Sequence, residues 1–92
     1  MSAAVASLAA EGPVMLSVAA DASPGLLSRL MGTLARLDIV PVHVYARRRA
    51  DHPGEDMLEV DIQLPATASA SSERVAAIFR TVVGVHQVAG SV

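Results

Sequence analysis

The sequence predicts an α+β fold in which four antiparallel strands form one sheet and two helices cover one of its faces. Six segments alternate between period-2 and helical hydrophobic patterns, in the order strand, helix, strand, strand, helix, strand. A length of 92 residues suits one small domain built from two layers around one core. That element order is the split βαβ, or ferredoxin-like, unit.

The first strand and the first helix follow from patterns near the start of the chain. A strand is predicted over residues 13–20, in which apolar residues alternate with smaller or more polar ones. Ser23 is a favourable N-cap, and Pro24 suits the first helical position because its missing N–H is not needed there. We expect the helix to end near Asp38. Its apolar stripe has helical spacing and comprises Leu27, Leu30, Met31 and Leu34.

The central part of the chain predicts two strands joined by a polar connection. Residues 39–48 read as a strand, with Pro41 near its start or on a sheet edge because proline cannot donate to a ladder. Residues 49–56 form the connection, and residues 57–64 have the clearest alternation in the chain. One face of this third strand is apolar: Leu58, Val60, Ile62 and Leu64. The other face is polar: Glu59, Asp61 and Gln63.

The last part of the chain repeats the helix–strand plan. Residues 65–70 are predicted to form a loop, and a second helix is expected to start near Ser71 or Ser72. Gly84 ends it, and residues 85–89 form a short last strand. The helical stripe comprises Val75, Ile78, Phe79 and Val82.

Composition excludes several classes of function. The chain has seven arginines, no lysine and nine acidic residues, which gives a net charge of −2 and argues against nucleic-acid binding. It has no cysteine, so disulfides and thiolate metal sites are excluded. Residues 1–12 are expected to be a flexible segment rather than a signal or a membrane anchor, before a domain over residues 13–92. We therefore expect a cytoplasmic protein that does not bind membranes.

The hydrophobic content points to a partner surface. Hydrophobic residues make up 52% of the chain, yet Tyr45 and Phe79 are its only aromatic residues. So many apolar residues exceed the core positions of a small domain, and some of them must meet a partner. We expect a homodimer, formed through a sheet edge or through the exposed sheet face.

No group of residues has the spacing of a catalytic or metal site. The three histidines, His43, His52 and His86, are scattered over two predicted strands and a connection, without metal-ligand spacing. We therefore expect no metal, no cofactor and no catalytic residues. The alternative is a small dimeric ferredoxin-like enzyme, a cofactor-free monooxygenase or isomerase, if His43, Tyr45 and His86 converge on the open sheet face.

The segment from Asp21 to Gly25 joins the first strand to the first helix. Free N–H groups at a helix N-terminus attract a carboxylate or a phosphate, and Gly25 lets a ligand approach the backbone closely. A Pro-Gly helix start without a ligand fits the same residues equally well.

The run from Pro24 to Gly32, Pro-Gly-Leu-Leu-Ser-Arg-Leu-Met-Gly, resembles the start of an ACT domain. From Gly25 onward it is especially similar to the ACT domain of acetolactate synthase small subunits, and the resemblance covers about residues 13–92. It implies a non-catalytic regulatory subunit that binds an amino acid at a dimer interface. The partner would be the catalytic subunit of acetolactate synthase, an enzyme of branched-chain amino-acid biosynthesis, which would bring thiamine diphosphate and flavin. The implied ligand-binding residues are Asp21, Ser23, Gly25, Leu26 and Val40.

The chain departs from this family's pattern at the end of the first helix and at the start of the second strand. Asp38 stands where the family has a glycine, and aspartate tolerates the left-handed conformation better than most residues. Val40 stands where an asparagine is frequent. A further alternative is therefore an assembly module that has lost ligand binding.

Overall fold

The computed structural model describes residues 14–52 and 55–90. Its element order is β1 (Val14–Asp21), α1 (Leu26–Arg36), β2 (His43–His52), β3 (Glu55–Leu64), a 3-10 helix (Ala66–Ser71), α2 (Ser72–Arg80) and β4 (Val85–Gly90). The strands form one sheet in the order β2-β3-β1-β4, and all three pairings are antiparallel. The predicted ferredoxin-like fold is confirmed.

Strand β1 is central and is buried on alternate residues. Leu16, Val18 and Ala20 are at most 2% exposed. Side chains in a strand alternate between faces, so these three point to the helices and Met15, Ser17 and Ala19 point to the open face. The register of β1 with β4 shifts between Ala19 and Ala20. Such a shift changes the direction in which the neighbouring side chains of β4 point.

The two helices complete a single core. Helix α1 presents one residue per turn to the sheet, and Leu26, Leu30 and Leu34 are all at most 1% exposed. Helix α2 contributes Val75 and Phe79, both fully buried. The core also contains the predicted apolar face of β3: Val60, Ile62 and Leu64, with Leu58 half-buried beside them.

Helix α1 begins two residues later than predicted. Gly25 is its N-cap and makes no side-chain capping bond, so the expected capping by Ser23 is wrong. The backbone explains the difference, because the Leu26 N–H donates to the Ser23 carbonyl at 3.1 Å in a tight turn over Pro24. This turn brings Leu26 into the core in addition to the predicted stripe.

Strand β2 begins four residues later than predicted, at His43 instead of residue 39. Asp38 has φ 62°, the left-handed conformation expected of it, and this turns the chain sharply after α1. Pro41 follows and has no N–H for a ladder. Strand pairing therefore starts only where the Val42 N–H donates to the Gln63 carbonyl at 2.8 Å.

Two other segments carry more regular structure than predicted. The expected connection over residues 49–56 is mostly strand, since β2 runs to His52 and β3 starts at Glu55. The expected loop over residues 65–70 is mostly the 3-10 helix, whose buried Ala68 anchors it to the core. The predicted flexible segment, residues 1–12, lies outside the described residues.

Candidate functional site

The loop between β1 and α1 is closed by contacts with two other strands. The Asp21 N–H donates to the Gly84 carbonyl at 2.8 Å, and the Ala22 N–H donates to the Asp56 carbonyl at 3.3 Å. The Ser23 N–H donates to the Asp21 carbonyl at 2.9 Å. The end of β1 is thereby fixed between β3 and the start of β4.

His86 is the side-chain partner of Asp21. Its Nε2 lies 2.6 Å from Oδ1 of Asp21, and both side chains are more than half exposed. The two residues are 65 positions apart and meet because β4 lies beside β1, where the strand register shifts. Sequence spacing gave no signal of this contact.

Arg29 is a second residue that the sequence argument missed. A Cβ on Gly25 would lie 3.3 Å from Nη2 of Arg29, so the guanidinium lies beside the glycine. The two residues are four apart, and residues at that spacing are neighbours on a helix. A guanidinium beside backbone N–H groups favours a carboxylate or a phosphate at this point.

The five implied ligand-binding residues fall into two groups at opposite ends of the sheet. Asp21, Ser23, Gly25 and Leu26 belong to the β1–α1 loop. Val40 lies before β2, whose first residue, His43, pairs with Gln63, and Gln63 pairs with Met15 near the start of β1. At about 3.4 Å per residue, this level is about 20 Å from Asp21 along the strand. One copy of the chain does not bring the two groups together.

Within the first group, the Leu26 backbone is already occupied. Its N–H donates to the Ser23 carbonyl and its side chain is fully buried in the core. The Gly25 N–H makes no hydrogen bond within residues 14–52 and 55–90, and it is the backbone donor that a ligand could reach.

The residues of the alternative enzyme site are not brought together. His43 and Tyr45 lie on β2, at one edge of the sheet, and His86 lies on β4, at the other edge. Three strand spacings separate them, about 14 Å. This distance is too long for one reacting centre, so the structure gives no support to the alternative.

The arginines of the β2–β3 hairpin are paired within the hairpin. Arg48 donates to Asp56, and this hydrogen bond raises the pKa of Arg48 and lowers the pKa of Asp56. Arg49 and Arg47 both contact Oε1 of Glu59, at 2.9 and 3.2 Å, and they lower the pKa of Glu59, Arg49 having the larger effect. The hairpin is therefore largely neutralised and does not form a phosphate-binding patch.

Known structures share this architecture over nearly its whole length. The ACT domain from GTP pyrophosphokinase of Chlorobium tepidum has a TM-score of 0.69 at 10% sequence identity, with 87% of this chain and 97% of that chain covered. The chain has the fold of an ACT domain. No family model and no curated protein matches its sequence.

Two further solved structures are similar to this chain, with lower TM-scores. The regulatory subunit of aspartate kinase from Thermus thermophilus, in its ligand-free form, has a TM-score of 0.64 at 10% identity, with 87% of this chain and 50% of that chain covered. This ACT-fold chain therefore spans about half the length of that subunit. The C-terminal domain of the MgtC protein from Mycobacterium tuberculosis has a TM-score of 0.62 at 16% identity, with 86% and 84% covered. Neither helix in the described part of the chain is long and apolar enough to cross a membrane.

Proposed function

We propose that this chain is a non-catalytic ACT-type regulatory domain that binds an amino acid and controls a partner enzyme. The observation that carries the proposal is the match to an ACT domain over 97% of that domain's length. Another neighbour is the regulatory subunit of an aspartate kinase. Fold alone does not give function, so the site must support the proposal as well.

The β1–α1 loop supplies the chemistry for one end of an amino acid. A ligand carboxylate at the Gly25 N–H would meet the Arg29 guanidinium and the positive end of the α1 dipole. Asp21 belongs to the same loop, and its carboxylate is in hydrogen-bond contact with the imidazole of His86. The ammonium group of the ligand could displace the imidazole from that carboxylate. Ser23 lies in the loop between Asp21 and Gly25.

We expect an amino acid to stabilise the wild-type domain and to have no effect on the Gly25→Val variant. The valine side chain would occupy the space that the ligand needs, while Gly25 has φ −89°, which valine can adopt. A ligand at a hundred times its dissociation constant stabilises by about 2.7 kcal/mol. Thermal melting against each of the twenty amino acids measures this shift.

Gly32→Val is the matched control, because Gly32 lies on the same helix outside the loop and a Cβ there comes no nearer than 3.9 Å to Arg36. It should keep the ligand-induced shift. If no amino acid shifts the melting of the wild-type chain, amino-acid binding is wrong and the assembly module without a ligand takes its place.

We further propose that the partner enzyme is acetolactate synthase. This proposal is supported by the resemblance of residues 25–32 to that enzyme's small subunits. Co-purification of the tagged chain with the acetolactate synthase catalytic chain is the direct test. Recovery of another enzyme would reassign the partner and leave the regulatory proposal standing.

We propose a homodimer that pairs through β2. This strand is at a sheet edge, and every residue from Val42 to Ala50 is exposed. Four large apolar side chains are exposed along it or just before it: Val40 at 80%, Val42 at 61%, Tyr45 at 53% and Val44 at 37%. Antiparallel pairing of two β2 strands would bring the start of β2 in one copy to the end of the sheet where the other copy has its β1–α1 loop. The two groups of implied ligand residues would then lie at the same end.

Val42→Lys should convert the dimer to a monomer, because a lysine at an edge strand opposes pairing with a second copy. Val83→Lys is the matched control, since Val83 is equally apolar, is 78% exposed and lies after α2, away from β2. Light scattering at matched concentrations measures the molar mass of each. A wild-type chain that stays monomeric at high micromolar concentration contradicts the proposed pairing.

A further inference from the structure

A groove of about 490 Å³ lies between α1 and the end of α2, on the surface of the helical layer. One wall is formed by residues of α1 between Ser28 and Arg36. The other is formed by residues between Ile78 and Val83, at the end of α2 and just after it. We call this feature the interhelical groove, and its lining combines charged, hydroxyl and apolar groups.

Arg29 and Arg36 form the charged rim of the interhelical groove. They are seven residues apart on α1, which is two helical turns or about 10.5 Å along the axis. Nη2 of Arg36 donates to Oγ1 of Thr33 at 3.4 Å, and the guanidinium of Arg29 lies beside Gly25. Each guanidinium thus lies about one turn before its own Cα. The two positive charges therefore keep a two-turn spacing along the helix.

The charges of these two arginines are not neutralised by the rest of the domain. Within residues 14–52 and 55–90, neither has an ion pair and no acidic side chain lines the groove. The two helices together carry four arginines and one acidic residue, a net charge of +3 in a chain whose net charge is −2. The helical layer is therefore a positive surface on an acidic protein, and it is complementary to an acidic partner.

The interhelical groove also offers an apolar contact surface. Val83 is 78% exposed, and among the described residues it is the one exposed large apolar side chain that lies away from β2 and the residues before it. Ile78 and Val82 line the same wall and are half-buried. In the α1 wall, a Cβ on Gly32 would come no nearer than 3.9 Å to Nη1 of Arg36. The glycine therefore leaves open space in which another chain can approach closely.

We propose that the interhelical groove holds an acidic amphipathic helix of the partner enzyme. Two carboxylates seven residues apart on that helix would have the same two-turn spacing as Arg29 and Arg36. Apolar residues between the carboxylates, on the same face, would lie over Gly32 and against Val83. The inference rests on the proposed function for the existence of a partner enzyme, and it assigns the surface that holds that enzyme.

The test is fluorescence anisotropy of labelled helical peptides titrated with the full chain at low ionic strength. The first peptide carries two glutamates seven positions apart, with two leucines between them on the same face. The second has the same composition, with its glutamates moved to the opposite face. The first should bind more tightly, and added salt should weaken its binding because exposed charges are screened.

Variants of the groove should weaken the binding of the first peptide. Arg36→Gln should weaken it by about two- to fivefold, the contribution of an exposed ion pair. Gly32→Val should weaken it by about tenfold or more, because the valine side chain fills the open space in the α1 wall. Arg74→Gln is the matched control, since Arg74 is an exposed arginine of α2 that does not line the groove. It removes the same charge and should bind the peptide nearly as the wild type does.

The outcomes separate this proposal from amino-acid binding. If the second peptide binds as tightly as the first, or if Arg36→Gln has no larger effect than Arg74→Gln, the proposed helix site is wrong and amino-acid binding is unaffected. Arg36 and Gly32 lie outside the β1–α1 loop, so both variants should keep the shift in melting that an amino acid produces. If no amino acid shifts the melting of the wild-type chain, amino-acid binding is wrong, and the peptide titrations still decide the helix site.

Two other occupants would also contradict the proposal. If Arg36→Gln converts a dimer to a monomer in light scattering, a second copy of the chain occupies the groove. If single-stranded RNA binds more tightly than the first peptide and depends on Arg36 in the same way, the partner is a nucleic acid. Circular dichroism establishes that each variant is folded, and Arg36→Gln, at an exposed position, decides the proposal if Gly32→Val is not.

Discussion

Phe79→Ala should lower the free energy of unfolding by about 3–5 kcal/mol, the usual cost of truncating a fully buried phenylalanine. Phe79 is 0% exposed and is the only aromatic side chain in the core, where it packs from α2 against the sheet. A small domain has a total stability of about 5–15 kcal/mol. The variant should therefore be close to unfolding at room temperature. Urea denaturation followed by far-ultraviolet circular dichroism measures the difference.

Val83→Ala is the control for this measurement, because Val83 also lies near the end of α2 and is 78% exposed. Its effect should stay within about 0.5 kcal/mol. Equal effects of the two substitutions would contradict the placement of Phe79 at the centre of the core.

Gly84→Val should destabilise the domain by about 2–3 kcal/mol, since a β-branched residue is strained in this conformation. Gly84 has φ 96°, and this backbone conformation is the source of the strain, because a Cβ there would lie 3.4 Å from Cδ2 of Leu26, an ordinary contact. The same Cβ would lie 3.8 Å from Cβ of Asp21. Thermal unfolding of the variant measures the loss.

Gly90→Val provides the comparison. Gly90 lies at the end of β4, and a Cβ there would be 3.5 Å from Cδ2 of Leu16, an ordinary contact. It should be far better tolerated than Gly84→Val. If both valines cost the same, the conformation of Gly84 is not the cause of the strain.

The fold could be predicted from the sequence because most helices and strands have one apolar and one polar face. In such elements the spacing of the apolar residues distinguishes a helix from a strand. Val60, Ile62 and Leu64 alternate with polar residues and are all fully buried. The start of β2 was harder to predict, because residues 39–42 alternate in the same way as the strand that follows. Pro41 and the left-handed Asp38 prevent pairing there, and only the backbone hydrogen bonds show where the ladder begins.

The candidate site was predictable only in its local parts. The loop from Asp21 to Gly25 could be recognised from a Pro-Gly helix start, and the approach of Arg29 to Gly25 follows from a spacing of four residues. The contact of His86 with Asp21 requires β4 to lie beside β1 and the register to shift between them.

The position of Tyr45 gives the molecule an optical reporter. It is the only tyrosine, there is no tryptophan, and the residue is 53% exposed on the open face of the edge strand. Its fluorescence therefore hardly senses the core, and loss of the packing around Phe79 would leave little trace in it. Burial of the edge strand would change the solvent around the ring directly. Tyrosine emission of the unmodified chain would thus report the proposed pairing through β2 separately from unfolding.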